Sequence, residues 1–245
     1  MALIKTKALV IRETPYNDTD KMLTLLTADF GKIGVSARGA RRSGSRYAYG
    51  TGVFSYGEYI LFKTGNSYRL NSCDVITHFY DVASDMTRFT HAAHILDVAQ
   101  DVAVEQANAE GILNLLLHGL NALKKGREPG LVSSAFGLKI LQITGYPPQM
   151  TKCTLCGTRE MDKLTFSFRH GGLLCDGCSE SDRESEEVSP GTVRAMLHVL
   201  LSEGPAVFQF GLTPEIVNSF SRIVLRFLSE RLDKKYNKLE FLKEL

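Results

Sequence analysis

Residues 153–178, CTLCGTREMDKLTFSFRHGGLLCDGC, set Cys153, Cys156, Cys175 and Cys178 in two CxxC pairs separated by eighteen residues. That is the spacing of a four-thiolate zinc site built from two knuckles. Two thiolates three residues apart grip one ion, and the second pair closes the tetrahedron, so no position is left for water or substrate. One structural Zn2+ is expected, and catalysis by it is not. Two disulfides are the competing use of such a quartet. The chain opens MALIKTKALVIRE without the apolar stretch of a signal peptide, so a reducing, cytoplasmic setting is expected, where such quartets hold metal. Cys73, the fifth cysteine, reads as a small buried hydrophobe.

N-terminal to this module the period is that of strands. Segments 5–12, 22–27, 33–38, 56–63 and 68–72 alternate apolar and polar residues and are rich in β-branched and aromatic types. Thr64-Gly65-Asn66-Ser67 between the last two is a hairpin signal, because Gly and Asn tolerate positive φ. Five short strands predict a small OB-type barrel over residues 1–80, although residues 39–54 lack the helical period of the helix that commonly joins strands three and four of that fold. From Thr87 the period becomes helical: Phe89, Ala93, Leu96, Ala99 and Ala103 share a face, as do Ile112, Leu115, Leu116, Leu120 and Leu123. A third helix over 131–144 is stopped by Gly145 and Pro147-Pro148. Beyond the cysteines, Ser189-Pro190 and Thr213-Pro214 each resemble an N-cap followed by proline at the first helical position. Ile216, Phe220, Ile223, Val224, Phe227 and Leu228 form an apolar stripe in the last helix. The expected architecture is multidomain α+β: a barrel at 1–80, a helical domain at 81–150 and 188–245, and the four-cysteine zinc finger at 151–187 inserted between its halves.

The net charge of +2 conceals an asymmetry, since residues 1–80 carry +5 while 151–187 carry −3. A zinc ribbon that gripped phosphates would need cations at its knuckles. Here Asp176 lies inside the second pair and Glu180, Asp182, Glu184, Glu186 and Glu187 follow it with only Arg183 among them, so the finger reads as a brace for the fold and the acidic stretch as a solvated linker. The basic charge gathers instead in residues 37–52, ARGARRSGSRYAYGTG, where Arg38, Arg41, Arg42 and Arg46 are joined by Tyr47 and Tyr49 in a Gly/Ser-rich loop. Guanidinium groups pair with phosphates and release counterions, and tyrosine rings stack on unpaired bases, so this loop is the candidate DNA contact. A solvated loop that serves only solubility is the plainer alternative.

Enzyme readings find little footing. A zinc nucleobase deaminase needs an HxE or CxE segment upstream of PCxxC and an open metal position, and His91-Ala-Ala-His94 lacks that glutamate. No Walker GxxxxGK[ST] and no GxSxG occurs, and the six histidines are scattered. A zinc-containing adaptor that binds proteins and not DNA is the remaining alternative. No apolar run approaches the ~18 residues of a membrane span, so no membrane partner is expected.

Two stretches carry a resemblance to a known family. Residues 12–42, RETPYNDTDKMLTLLTADFGKIGVSARGARR, and 136–157, FGLKILQITGYPPQMTKCTLCG, are similar to the N-terminal segment and to the pre-zinc helix with first knuckle of RecO, the bacterial recombination mediator family. The resemblance spans nearly the full chain. It implies an OB-fold, a helical domain and an inserted zinc finger, and no catalytic residue. It further implies binding of single- and double-stranded DNA, annealing of complementary strands, and work with RecR to load RecA on single strands coated by SSB. Carried over by position, DNA contacts fall on Arg38, Arg41 and Arg42 of the GARR stretch. Where the family often ends in Leu-Lys-Ser and a short finish, this chain reads Lys238-Leu239-Glu240-Phe241-Leu242. Arg222, Arg226, Arg231, Lys234, Lys235 and Lys238 form a basic stretch that would suit the acidic tail of SSB, with a solvated helix face as the plainer reading.

Overall fold

The computed structural model describes residues 2–239; Glu240, Phe241 and Leu242 of the divergent tail lie outside the described residues. Strands β1 (Ala2–Pro15), β2 (Lys21–Thr27), β3 (Gly31–Ala37), β4 (Ser55–Thr64) and β5 (Ser67–His78) close into a barrel of order β1-β2-β3-β5-β4. This is the OB-type arrangement expected from the alternation. The closure depends on the length of β1. Its first half pairs with β4 (Ala2 opposite Lys63) and its second with β2 (Pro15 opposite Lys21). A register shift between Val10 and Arg12 bends the strand from one partner to the other. β3 and β5 complete the circle through a short parallel contact, Val35 with Tyr68 and Ser36 with Arg69. The period of two sends Val10, Leu23, Leu25, Val35, Tyr59 and Leu61 inward, where each is buried. Tyr59 keeps its hydroxyl there by donating to the carbonyl of Gly50 at 2.7 Å. Gly65 takes positive φ (58°) in the β4–β5 hairpin, as its sequence requires.

All five strands stand where the alternation puts them, and most extend past it, because polar ends such as Glu13 are held by register with β2 and not by their own propensity. Between β3 and β4 the only helical turn is a 3-10 turn at Ala48–Gly50. Cys73 is half-buried beside the barrel core, not fully enclosed, because it sits on β5 under the turn at Gly50.

Helices α1 (Met86–Val102), α2 (Glu110–Lys124) and α3 (Pro129–Ile143) follow in the order that periodicity predicts. Then come the finger, with β6 (Thr165–Ser167), β7 (Gly172–Leu174), a single-turn α4 (Asp176–Ser179) and β8 (Glu186–Glu187), and finally α5 (Pro190–Leu201) and α6 (Pro214–Leu232). By contact the chain forms two compact units: residues 1–89 with 96–124, and residues 90–95 with 125–245. In the second unit α3 is buried nearly all round and packs against both α5 and α6, with the finger between them in sequence. Ser189 caps α5 by accepting from the amide of Thr192 at 3.1 Å. Thr213 makes no such cap on α6. Its hydroxyl goes to Glu215, whose carboxylate also accepts from its own amide and is held below the ordinary glutamate range. Among the described residues no helix is long and apolar enough to cross a membrane.

Candidate nucleic-acid interface and metal centre

The basic loop leaves β3 at Arg38 and is held in place by the β1–β2 turn. Asn17 accepts from the amides of Thr19 and Asp20, an Asx turn that presents the Asp20 carboxylate outward. Asp20 accepts from the amide of Gly39 at 2.7 Å, at a residue whose φ of +70° suits glycine. That amide bond, with Asn17 and Thr19, holds the Asp20 carboxyl below its ordinary range, and the charge of Arg38 adds to the effect. The amide of Arg41 donates to Thr19 at 2.9 Å and its guanidinium to the carbonyl of Asn17. The loop is thus pinned by its backbone and by the Arg41 guanidinium. Arg38, Arg41, Arg42 and Arg46 are all exposed, and none is paired with a carboxylate among the described residues.

The two tyrosines part company. Tyr47 is half-buried against the barrel core, donates to the carbonyl of Asn71 at 2.9 Å and carries the Arg46 guanidinium 4.7 Å above its ring. Tyr49 is 79% exposed. Tyr47 therefore anchors the loop to β5, and Tyr49 is the ring open for stacking. Asn17 and Asp20 are functional supports that the sequence reading missed. Their signal was the turn-forming run Asn17-Asp18-Thr19-Asp20, but its partner Gly39 lies nineteen residues on.

In the finger the four cysteine sulfurs all lie within 4.8 Å of one another. Cys156 and Cys175 are 3.6 Å apart, far beyond the ~2.05 Å of a disulfide and near the ~3.8 Å edge of a tetrahedron with ~2.3 Å metal–sulfur bonds. Burial opposes a charge on Cys153, but the amides of Cys156, Cys175 and Leu155 donate to its sulfur and bring its thiol down to about 6. Cys178 is pushed up to about 12 by its hydrogen bond to Cys175, by burial and by the other sulfurs. Four thiolates this close repel one another, so a divalent cation is the natural replacement for the protons they would otherwise share. The set fits one metal ion with no open position.

Comparison with known proteins shows the family. The family model for the recombination protein O N terminus matches residues 1–79, and that for its C terminus matches 83–240. The DNA repair protein RecO of Acetivibrio thermocellus is 36% identical over the whole chain and 98% of its own length. The RecO protein of Alkaliphilus metalliredigens is 31% identical over 99% of this chain and all of its own. The chain belongs to the RecO family.

In this RecO-family chain the acidic stretch at and after the second cysteine pair is solvated only in part: Asp176, Glu180, Glu184 and Glu187 are exposed, whereas Asp182 and Glu186 are engaged by other elements. Asp182 is buried and accepts from Ser167 of β6, which holds its carboxyl below the ordinary range. Arg226 of α6 donates to Glu230 at 2.8 Å and to Glu186 at 3.1 Å, and reaches Glu184 at 3.4 Å. Its guanidinium lies 3.8 Å from the centroid of the Phe168 ring. Arg222 pairs with the second oxygen of Glu186, and Arg231 donates to the carbonyls of Phe168 and Arg169. Half of the basic stretch expected to meet an acidic partner is therefore engaged with the finger itself. The reason lies in sequence distance: Glu184 and Glu186 stand about forty residues before Arg226.

Proposed function

We propose that this protein is a recombinational repair mediator that binds single- and double-stranded DNA through its barrel and anneals complementary strands without covalent chemistry. The observation that carries the reading is the pinned loop of exposed arginines, none in an ion pair among the described residues, on an OB-type barrel in a chain of the RecO family. Arg38, Arg41, Arg42 and Arg46 neutralise phosphates on either strand, which lowers their mutual repulsion, and Tyr49 stacks on unpaired bases. Base pairing then supplies the specificity. Work with RecR to load RecA on SSB-coated strands follows from family membership. Of the basic stretch, the exposed Lys235 is the candidate for the acidic SSB tail on the second unit. One zinc ion on Cys153, Cys156, Cys175 and Cys178 is structural in this reading, since thiolates suit zinc and the closed set leaves no site for substrate.

Fluorescence anisotropy with a labelled oligonucleotide at two salt concentrations tests the binding. Wild-type affinity should fall steeply with salt, and alanine at Arg38, Arg41 and Arg42 should weaken binding and flatten the slope by about one per arginine removed. Absence of binding at either salt concentration would favour the adaptor. An unchanged slope in the triple variant would remove the loop from the interface.

A further inference from the structure

The strand face beside the arginine loop carries a second surface. Register sets Met22 of β2, Ser36 of β3, Arg69 of β5 and Phe62 of β4 side by side in one row on the outside of the barrel. The row is continuous with the loop. Arg38 follows directly on the end of β3, two residues after Ser36, and Arg46 and Tyr47 are bonded to the carbonyl of Asn71, two residues past Arg69. Arg69 lies 5.0 Å over the centroid of the Phe62 ring and has no carboxylate partner among the described residues. The first carboxylates farther along β4 and β5 on this side are Glu58 and Asp74, and Glu58 is already paired with Lys5 at 2.7 Å.

Gly34 adds an independent pointer. It sits mid-strand in β3 opposite Thr24, is exposed, lacks positive φ, and a Cβ built on it meets nothing within 4 Å. Neither a turn nor crowding requires glycine there, and glycine weakens a strand. Register with β2 is unbroken there, so no bulge accounts for it, which leaves a bend of the barrel wall or close approach by a ligand or another backbone.

We infer that this row is a track for unpaired bases, so that the barrel tells a single strand from a duplex. The arginine loop accepts phosphates of either form. The row accepts what only a single strand exposes: base faces stack on the Arg69 guanidinium, which Phe62 backs and holds flat, while Gly34 lets the strand lie close to the sheet. This deepens the proposed DNA binding and rests on it.

Gly34→Val separates the surface from the fold. A β-branched side chain placed in open space on a strand should leave the melting temperature unchanged or higher. It should also weaken binding of a labelled oligothymidine on the order of tenfold, with binding of a duplex of equal length unchanged. Phe62→Leu, which keeps apolar bulk but removes the aromatic support, should show the same selectivity. If both variants bind single strands as the wild type does, or lose duplex in equal measure, the track is wrong while the arginine loop stands. If the wild type binds no DNA, the proposed function and the track fall together.

Discussion

Arg226 shows how one side chain joins two parts of the second unit. Its guanidinium reaches three carboxylates and covers the Phe168 ring, with a side chain 35% exposed. Each exposed pair alone contributes little, and the partial exposure screens it further. The flat contact with Phe168 and the packing of the arginine stem add what single surface pairs do not. Arg226→Ala should therefore destabilise the protein by roughly 1–2 kcal/mol in urea unfolding. Arg226→Lys should recover only part of that, because an ammonium keeps the charge but not the planar fork. Equal loss in both variants would point to the fork and stacking, and no loss in either would remove Arg226 as a link. None of this was legible in the sequence, where Arg226 is one cation in a helix whose apolar stripe faces elsewhere. The arginines of the barrel loop stand out in the sequence, because their crowding is local and needs no remote partner.

The finger is the element whose four-cysteine cluster was clearest from sequence and whose attachment was least so. Two CxxC pairs are local patterns, and metal geometry fixes their meaning at any tertiary setting. β6, β7 and β8 escape a period-two reading because they are only two or three residues long. They exist because Phe166, Leu173 and Leu174 are buried, with Phe166 meeting Phe227 of α6 edge-on at 5.3 Å. A structural zinc contributes on the order of 10 kcal/mol to a module of this kind, far more than these few strand pairs supply. Removing the metal with a chelator, or replacing Cys153 by Ser, should speed hydrogen exchange at Phe166, Phe168 and Leu173 and release a thiol-reactive set. It should also loosen the α6 turn around Phe227. Retained protection after verified metal loss would show that the Phe166–Phe227 packing holds the finger by itself.

Across the whole molecule the two units differ in how far their formation could be foreseen. The barrel came from alternation in neighbouring strands with a hairpin between the last two. The second unit joins residues 90–95 to residues beyond 124, a grouping that no local period expresses. It also buries His91 and His94. His91 bonds with Ser133 at 2.8 Å, while His94 stands edge-on to Tyr236 with its Nδ1 atom unpartnered. Burial lowers both to about 4, and for His94 the neighbouring His91 and Lys238 add to the effect. Unfolding returns each imidazole to about 6.5, so between pH 6.5 and 4 the unfolded chain takes up protons that the folded one refuses. Stability from these groups is complete above pH 6.5 and declines as pH falls through that window, by at most about 1.4 kcal/mol per pH unit for each histidine. The carboxylates held low, Asp20, Asp182 and Glu215, would lose their contribution only at still lower pH, since their ordinary values are 3.8 to 4.5. Urea midpoints measured by helical circular dichroism at pH 7.5, 6.5, 5.5 and 4.5 should therefore be level over the first step and then fall. His91→Gln with His94→Gln should flatten the fall whatever its effect at pH 7.5, because a glutamine takes up no proton in that range. A wild-type midpoint that stays level down to pH 4.5 would mean that the buried imidazoles find protons or partners which the packing of α1 denies them.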